Sequence, residues 1–338
     1  MAQLSKVLEA TTHSLDHCAQ LLRDGDVVGM PTETVYGLAG NALNETSVRK
    51  IFDVKGRPLI DPLIVHFSNL QAAEPHIESN ASIRKLAQAF WPGPLTLVVP
   101  KKNSISDIVT AGLPSVAIRV PRHPIFRQIL DRLEFPLAAP SANPFGYVSP
   151  TLASHVQQTL GNRISAILDG GPSDLGLEST ILDLRDPKKP SILRHGPITE
   201  TQIRAQLEVP LCRHRQVADD GAAQSAPGLL TKHYSPNAEV RLLPHGVTGA
   251  VRAKAERTPN TALVLNRKPD NLHAAHKLYW LSESGDLAEI AHNLFELIQR
   301  LDQQGVQQLW IEQAPEQGIG RAINDRLRRA AAKLNAAD

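Results

Sequence analysis

DVVGMPTETVYGLAGNALNETSVRKIFDVKGRPLIDPLIVHF, residues 26–67, decides the fold class. Its opening, DVVGM, is β-rich and follows Ser14–Arg23, where apolar residues fall at helical spacing until Gly25 stops the run. NETSVRKIFDVKG reads as a helix capped by Asn44 and ended by Gly56, a residue type that tolerates the left-handed turn at a helix end. PLIVHF then reads as a second strand. Helices interleaved with short apolar strands are the pattern of an α/β domain.

The same grammar continues outward to about residue 208. SIRKLAQAF, HPIFRQILDRL, ASHVQQTL and TETQIRAQLE read as helices, and LTLVVP, VAIRV, PLAA, SAILDG, STILDL and SILRH as strands. Some strands follow one another with no helix between, so the sheet is expected to be mixed. Between about Arg213 and Pro236 the periodicity fails in small, polar and Pro/Gly residues, which reads as an interdomain linker. Beyond it EVRLLP, TALVLN, HKLYWLS and VQQLWIEQ read as strands. DLAEIAHNLFELIQRLDQQ and GRAINDRLRRAAAKL read as amphipathic helices of a second, smaller α/β domain. The expected division is 1–212, 213–237 and 238–338, which suits a chain of 338 residues, longer than one core usually serves.

Composition narrows the function. Aromatic residues make up only 4%, which counts against stacked-base platforms, and a net charge of +2 gives no long-range field toward nucleic acid. Cys18 and Cys212 form neither a CxxC pair nor a disulfide framework. The N-terminus lacks a signal-peptide pattern, and no stretch approaches the roughly 20 apolar residues of a membrane span, so a soluble cytoplasmic protein is expected.

Four clusters could carry chemistry. In PTETVYGLAGNA, residues 31–42, Thr32, Thr34, Tyr36, Gly37 and Gly40 read either as ligand contacts at a strand end or as turn geometry alone. In KGRPLIDPLIVHF, Lys55 and Arg57 follow a helix, Pro58 and Pro62 stiffen the segment around Asp61, and His66 ends the strand. Lysine suits phosphate as a point charge, and arginine grips phosphate or carboxylate with two parallel hydrogen bonds. SVAIRVP and APSANPFGYVSPT supply Ser115, Arg119, Ser141, Asn143, Ser149 and Thr151, short donors for phosphate or ribose. Ser149 or Thr151 reads equally as a cap for the helix ASHVQQTL. LGLESTILDL with SILRHG brings Glu178, Ser179, Thr180 and Arg194, the last readable also as a surface ion pair. The chain has no GxxxxGK[ST], no GxGxxG after the first strand, no HExxH and no GxSxG. His13 with His17, and His273 with His276, have no obvious carboxylate partner for a metal.

Taken in order, PTETVYGLAGNA, KGRPLIDPLIVHF, WPGPLTLVV, SVAIRVP, APSANPFGYVSPT and LESTILDL with ILRHG resemble the YrdC-like threonylcarbamoyl-AMP synthase family over roughly residues 10–208. HYSP in the linker and GIGRAINDRLRRAA near the end resemble its long, two-domain form. The resemblance implies a YrdC-like domain with a twisted mixed sheet and flanking helices, plus a smaller Rossmann-like α/β domain. It implies condensation of L-threonine, bicarbonate and ATP to threonylcarbamoyl-AMP and pyrophosphate, with Mg2+, for a tRNA threonylcarbamoyl transferase complex downstream. Carried over by motif, Thr34, His66, Arg119, Ser179 and the backbone of Ala139 would surround threonine. Arg57, Asp61, Ser115, Ser141, Asn143, Ser149 and Arg194 would hold ATP, with Lys55 and Arg57 as the catalytic cations and no metal-ligating side chains. Tyr234 of HYSP would reach over the nucleotide as part of a lid. The competing expectations are a non-catalytic RNA-binding module, with RNA contact on a concave basic surface, and carbamoyl transfer of the hydrogenase-maturation kind. The latter arrangement carries zinc-finger cysteines that two cysteines cannot supply.

Overall fold

A computed structural model describes residues 5–212, 221–230, 233–270 and 277–332. The expected linker falls partly on residues 213–220 and 231–232, and His273 and His276 also lie outside the described residues. The first domain runs β1 (Lys6–Glu9), α1 (Thr12–Arg23), β2 (Val28–Met30), β3 (Gly37–Asn41), α2 (Glu45–Lys55), β4 (Ile64–His66) and α3 (Leu70–Ala73). It continues with α4 (Ala81–Phe90), β5 (Leu95–Pro100), β6 (Ser115–Arg119), α5 (Pro124–Leu130), β7 (Leu137–Ala138), α6 (Ala153–Leu160), β8 (Ala166–Asp169), β9 (Thr180–Asp183), β10 (Ser191–Arg194) and α7 (Glu200–Arg204). The second holds β11 (Glu239–Leu243), α8 (Gly249–Arg257), β12 (Thr261–Arg267), β13 (Leu278–Ser282), α9 (Leu287–Gln303), β14 (Gln308–Glu312) and α10 (Gly320–Ala331).

Ten strands of the first domain form one mixed sheet in the order β1-β8-β2-β3-β7-β4-β6-β5-β9-β10. The pair β4–β6 is parallel and sets His66 beside Arg119, whereas β7 runs antiparallel to both β3 and β4. Apolar clusters on the two faces of the sheet hold α2 and α4 on one side and α1 and α5 on the other. The second domain is a four-stranded, all-parallel sheet, β11-β14-β12-β13, whose helices α9 and α10 cover it with Leu294, Phe295, Ile298, Ile323 and Leu327. Its parallel crossovers agree with the Rossmann-like expectation.

Asn44 accepts from the amides of Thr46 and Ser47, and Gly56 takes a left-handed φ of 61°, so both ends of α2 are as expected. Two expectations fail. The glycine-rich stretch after PTETVY is not a loop: Gly37–Asn41 is β3, paired with β2 and β7. Without side chains, its glycines let helix α2 press on the strand: a Cβ on Gly40 would lie 2.7 Å from Ser47 Oγ. Neither Ser149 nor Thr151 caps α6; Leu152 holds that position without a side-chain bond, because the Ser149 hydroxyl is taken up by Glu178.

The two domains meet closely. At Gly176, with φ of 67°, an added Cβ would come within 2.5 Å of His292 O, so only glycine lets α9 sit there. Gln299 of α9 donates to Ser149 O at 2.8 Å, and His292 Nδ1 lies 2.9 Å from Asp174 O.

Candidate active site

A cleft of about 510 Å3, its open mouth included, lies over the sheet where β4, β6, β9 and β10 end or begin and the linker crosses them. The left-handed Gly56 turns the chain out of α2 and delivers Arg57 to its wall. Arg57 donates through Nε to Asp61 O (2.9 Å) and through Nη2 to Pro62 O (2.7 Å), while Nη2 sits 3.0 Å from Asp61 Oδ2. Both side chains are almost wholly shielded from water. Burial raises the Asp61 carboxyl above its ordinary value, and the neighbouring Arg57, Lys55 and Arg194 offset that push only in part.

Arg194 ends β10 and is also buried, which excludes the surface ion-pair reading. It donates to Ser179 O, Ser179 Oγ and the linker carbonyl of Pro227 at 3.1–3.2 Å. Ser179 Oγ also lies 2.7 Å from Thr96 Oγ1.

At the far end of β6, Arg119 forms the second half of the cleft. It donates to Glu33 Oε1 at 2.6 Å, Thr34 Oγ1 at 3.0 Å and Gly93 O at 3.2 Å. Thr32 and Thr34 share a 2.8 Å hydroxyl contact. Burial alone would raise Glu33, but the Arg119 guanidinium overrides it and holds that carboxyl below its ordinary value. His66, parallel-paired with Arg119, is driven by burial and then by that guanidinium down to about 3, so its ring is neutral at physiological pH. Its Nδ1 is buried with no hydrogen-bond partner among the described residues.

Of the residues expected from the motifs, Thr34, Arg57, His66, Arg119, Ala139, Ser141, Ser179, Arg194 and Tyr234 line this one cleft. Ala139 donates its amide to Ile64 O, which leaves its carbonyl as the backbone group still to be offered. Lys55, Asp61, Ser115, Asn143 and Ser149 do not line it. The Lys55 ammonium is held by the carbonyls of Ser141 (2.6 Å) and Asn143 (2.5 Å), and burial together with Arg57 lowers its pKa well below the ordinary value. Asn143 Nδ2 donates to Pro144 O and Tyr147 O, bracing the same loop. Ser115 shares a face of β6 with Arg119 but stands four residues back, roughly 13 Å along the strand.

Tyr234 adopts a left-handed φ of 64°, is buried, and stacks on Phe295 of α9 with ring centroids 5.6 Å apart. Ala226 and Leu229 of the linker pack with Ile64, Ala117, Ile181 and Leu193, and Ile64 lines the cleft. No group of three or more His, Cys, Asp or Glu side chains among the described residues is placed to hold a metal ion.

Sequence reasoning missed three residues that shape the site. Glu33 lies inside the quoted motif, in the bend between β2 and β3, where no periodicity tells which side chain turns inward. Arg326 and Arg329 come from α10 in the second domain. Arg326 Nε donates to Glu178 Oε2 at 2.8 Å, and Arg329 Nη1 donates to Leu229 O (3.1 Å) and Leu230 O (2.6 Å) in the linker.

Comparison with known proteins places these features in a family. Residues 20–196 match the family profile described as telomere recombination, and residues 198–332 match that described as threonylcarbamoyl-AMP synthase, C-terminal domain. The chain is 38% identical over 322 residues to the threonylcarbamoyl-AMP synthase of Pyrococcus abyssi, covering 92% of each chain. It is 35% identical over 329 residues to that of Bacillus subtilis, covering 96% of this chain and 94% of the relative. The crystal structure of the P. abyssi protein complexed with L-threonine superposes with a TM-score of 0.86 at 35% identity, covering 97% of this chain and 96% of that one.

Proposed function

The chain belongs to the threonylcarbamoyl-AMP synthase family, and we propose that it condenses L-threonine, bicarbonate and ATP into L-threonylcarbamoyladenylate and pyrophosphate. It is an enzyme of the nucleotidyl-transferring kind, acting on the route to threonylcarbamoyl-adenosine in tRNA. The observation that carries the detailed reading is the convergence of Arg57, Arg119 and Arg194, each at most 7% exposed, on a single cleft.

Adenylation presses a carboxylate against a triphosphate. Two unit charges 4 Å apart repel by about 4 kcal/mol near a protein surface, so buried cations are what that approach needs. Threonine is assigned to the Arg119 end, among Thr34, His66, Ser179 and the Ala139 carbonyl. ATP is assigned to the Arg57 and Arg194 end, with Ser141 beside it and Asp61, Asn143, Ser149 and Lys55 setting the loops that carry the contacts. Neutral His66 adds no charge beside the amine. The amine captures bicarbonate as a carbamate with loss of water, and a carbamate oxygen attacks the α-phosphorus in line as pyrophosphate departs.

Arg57 and Arg194 stabilise charge on the leaving pyrophosphate. Magnesium belongs to the nucleotide substrate: it keeps its phosphate and water ligands and needs no dedicated protein cage. No protein nucleophile takes part; burial pushes the Cys18 thiol up to about 12. Tyr234 and the linker exclude water from the labile carbamate and adenylate.

No helix among the described residues is long and apolar enough to cross a membrane. The cytoplasm, with a tRNA-modifying transferase as consumer of the product, is the setting this reading assigns. Pyrophosphate release from ATP, measured with and without threonine and bicarbonate, tests it. Strict dependence on both is expected, and salt-sensitive RNA binding without ATP consumption would overturn it in favour of an RNA-binding module.

A further inference from the structure

The charge balance of the cleft is completed from outside the catalytic domain. Glu178 lies on the cleft wall, next to Ser179 and Arg194, where a free carboxylate would oppose any triphosphate. One of its oxygens accepts from Ser149 Oγ at 2.5 Å and the other from Arg326 Nε at 2.8 Å. Arg326 is fully buried and spends its remaining nitrogens on Asp325 Oδ2 (2.7 Å) and His195 O (3.0 Å), with its guanidinium 5.3 Å from the centre of the Tyr234 ring. Asp325 also holds Arg329, which grips the linker carbonyls.

We propose that Arg326 is a positioning residue for the reaction: from the second domain it neutralises and orients Glu178, so that Arg194 meets the nucleotide without an opposing charge beside it. The inference rests on the adenylate-forming reading above. A buried ion pair is a weak source of stability, since hydrophobic residues of similar volume often do as well or better. Four fixed contacts by one guanidinium at a cleft wall are better explained by the charge they cancel. In the free protein, burial alone would raise the Glu178 carboxyl, and Arg326 first, then Arg194, hold it below its ordinary value, so Glu178 is an anion that needs a counter-charge.

The test uses the full chain and reads ATP affinity by titration with a non-hydrolysable ATP analogue, alongside KM for ATP and threonine from pyrophosphate release. Arg326→Met is expected to weaken nucleotide binding about tenfold or more, with threonine KM changed less than about threefold. Arg326→Lys, which keeps the charge but loses the fork, should fall between Arg326→Met and the wild type. Arg326→Met combined with Glu178→Gln should regain nucleotide affinity to within about threefold of wild type, because the offending charge is gone.

A merely structural role predicts no such rescue: a double variant as defective as Arg326→Met, or equal losses toward both substrates, overturns the proposal. Should Arg326→Met fail to fold, the neutral double variant and Arg326→Lys still decide it, since a folded double variant with weak nucleotide binding overturns it equally. If the wild type binds the analogue but forms no threonine-dependent pyrophosphate, the reaction assignment fails, while the nucleotide titrations still decide the role of Arg326.

Discussion

Both domains set basic side chains at the ends of parallel strands, yet they use them in opposite ways. Arg119 at the end of β6 is 4% exposed and bound to Glu33, Thr34 and Gly93. Arg267 and Lys268 at the end of β12 keep 62% and 39% of their side chains in water; they make solvent-facing pairs with Asp270 and Glu283, and Lys268 also lies over the Trp280 ring, 5.3 Å from its centre. The same residue types on similar architecture therefore differ in what surrounds them. In the first domain a neighbouring strand, the linker and a helix from the other domain strip water from the cations and aim them at one space. In the second, water screens them, and such pairs contribute about 0–1 kcal/mol.

Four substitutions or conditions put that contrast to the test. Arg57→Ala removes a buried cation and leaves Asp61 unpaired in the interior. Pyrophosphate formation should fall by about a hundredfold or more, and chemical denaturation should show a loss of about 3–5 kcal/mol. An Arg57→Ala protein with near-normal turnover would remove the basis of the contrast.

Next in size, Thr34→Val deletes the hydroxyl that Arg119 and Thr32 share. Threonine KM should rise about tenfold, the scale of one lost buried hydrogen bond with an unpaired donor left behind, while ATP KM moves little. A change confined to ATP would reverse the assignment of the two ends.

A smaller effect concerns acid. His66 is neutral when folded, with its pKa near 3, but takes up a proton below about 6.5 when unfolded. Between those values the unfolded state binds the extra proton, so stability falls as pH falls, by up to roughly 1.4 kcal/mol per pH unit from this group. His66→Asn should flatten the acid limb of stability against pH, though not abolish it, because His155 is also pushed down by burial, to about 4. An unchanged slope would show that His66 is hydrated in the folded state.

The smallest change is expected in the second domain: Arg267→Ala with Lys268→Ala should shift stability by no more than about 0.5 kcal/mol and turnover by less than about twofold. A loss comparable to Thr34→Val would show that these exposed cations matter to the reaction as much as the buried ones do.

Much of this organisation is legible in the chain. Asn44 and Gly56 mark the ends of α2 because an Asn side chain satisfies free amides at a helix start and Gly accepts the left-handed exit. ASHVQQTL and GRAINDRLRRAA announce helices through apolar spacing. The short strand Gly37–Asn41 escaped because glycine carries no side chain to alternate. Glu33 escaped because a carboxylate inside a motif looks the same whether it meets solvent or a buried guanidinium. Arg326 escaped for a simpler reason: its partner Glu178 lies 148 residues away along the chain.

Local sequence is enough to read the α/β class and the set of cations and hydroxyls available for chemistry, because periodicity, capping and residue type are local properties. It takes the folded chain to bring Arg57, Arg119 and Arg194 to a single cleft and to set Arg326 of α10 against Glu178 on its wall. Those outcomes depend on which groups lose water together, and dehydration is set by neighbours brought in from distant parts of the chain.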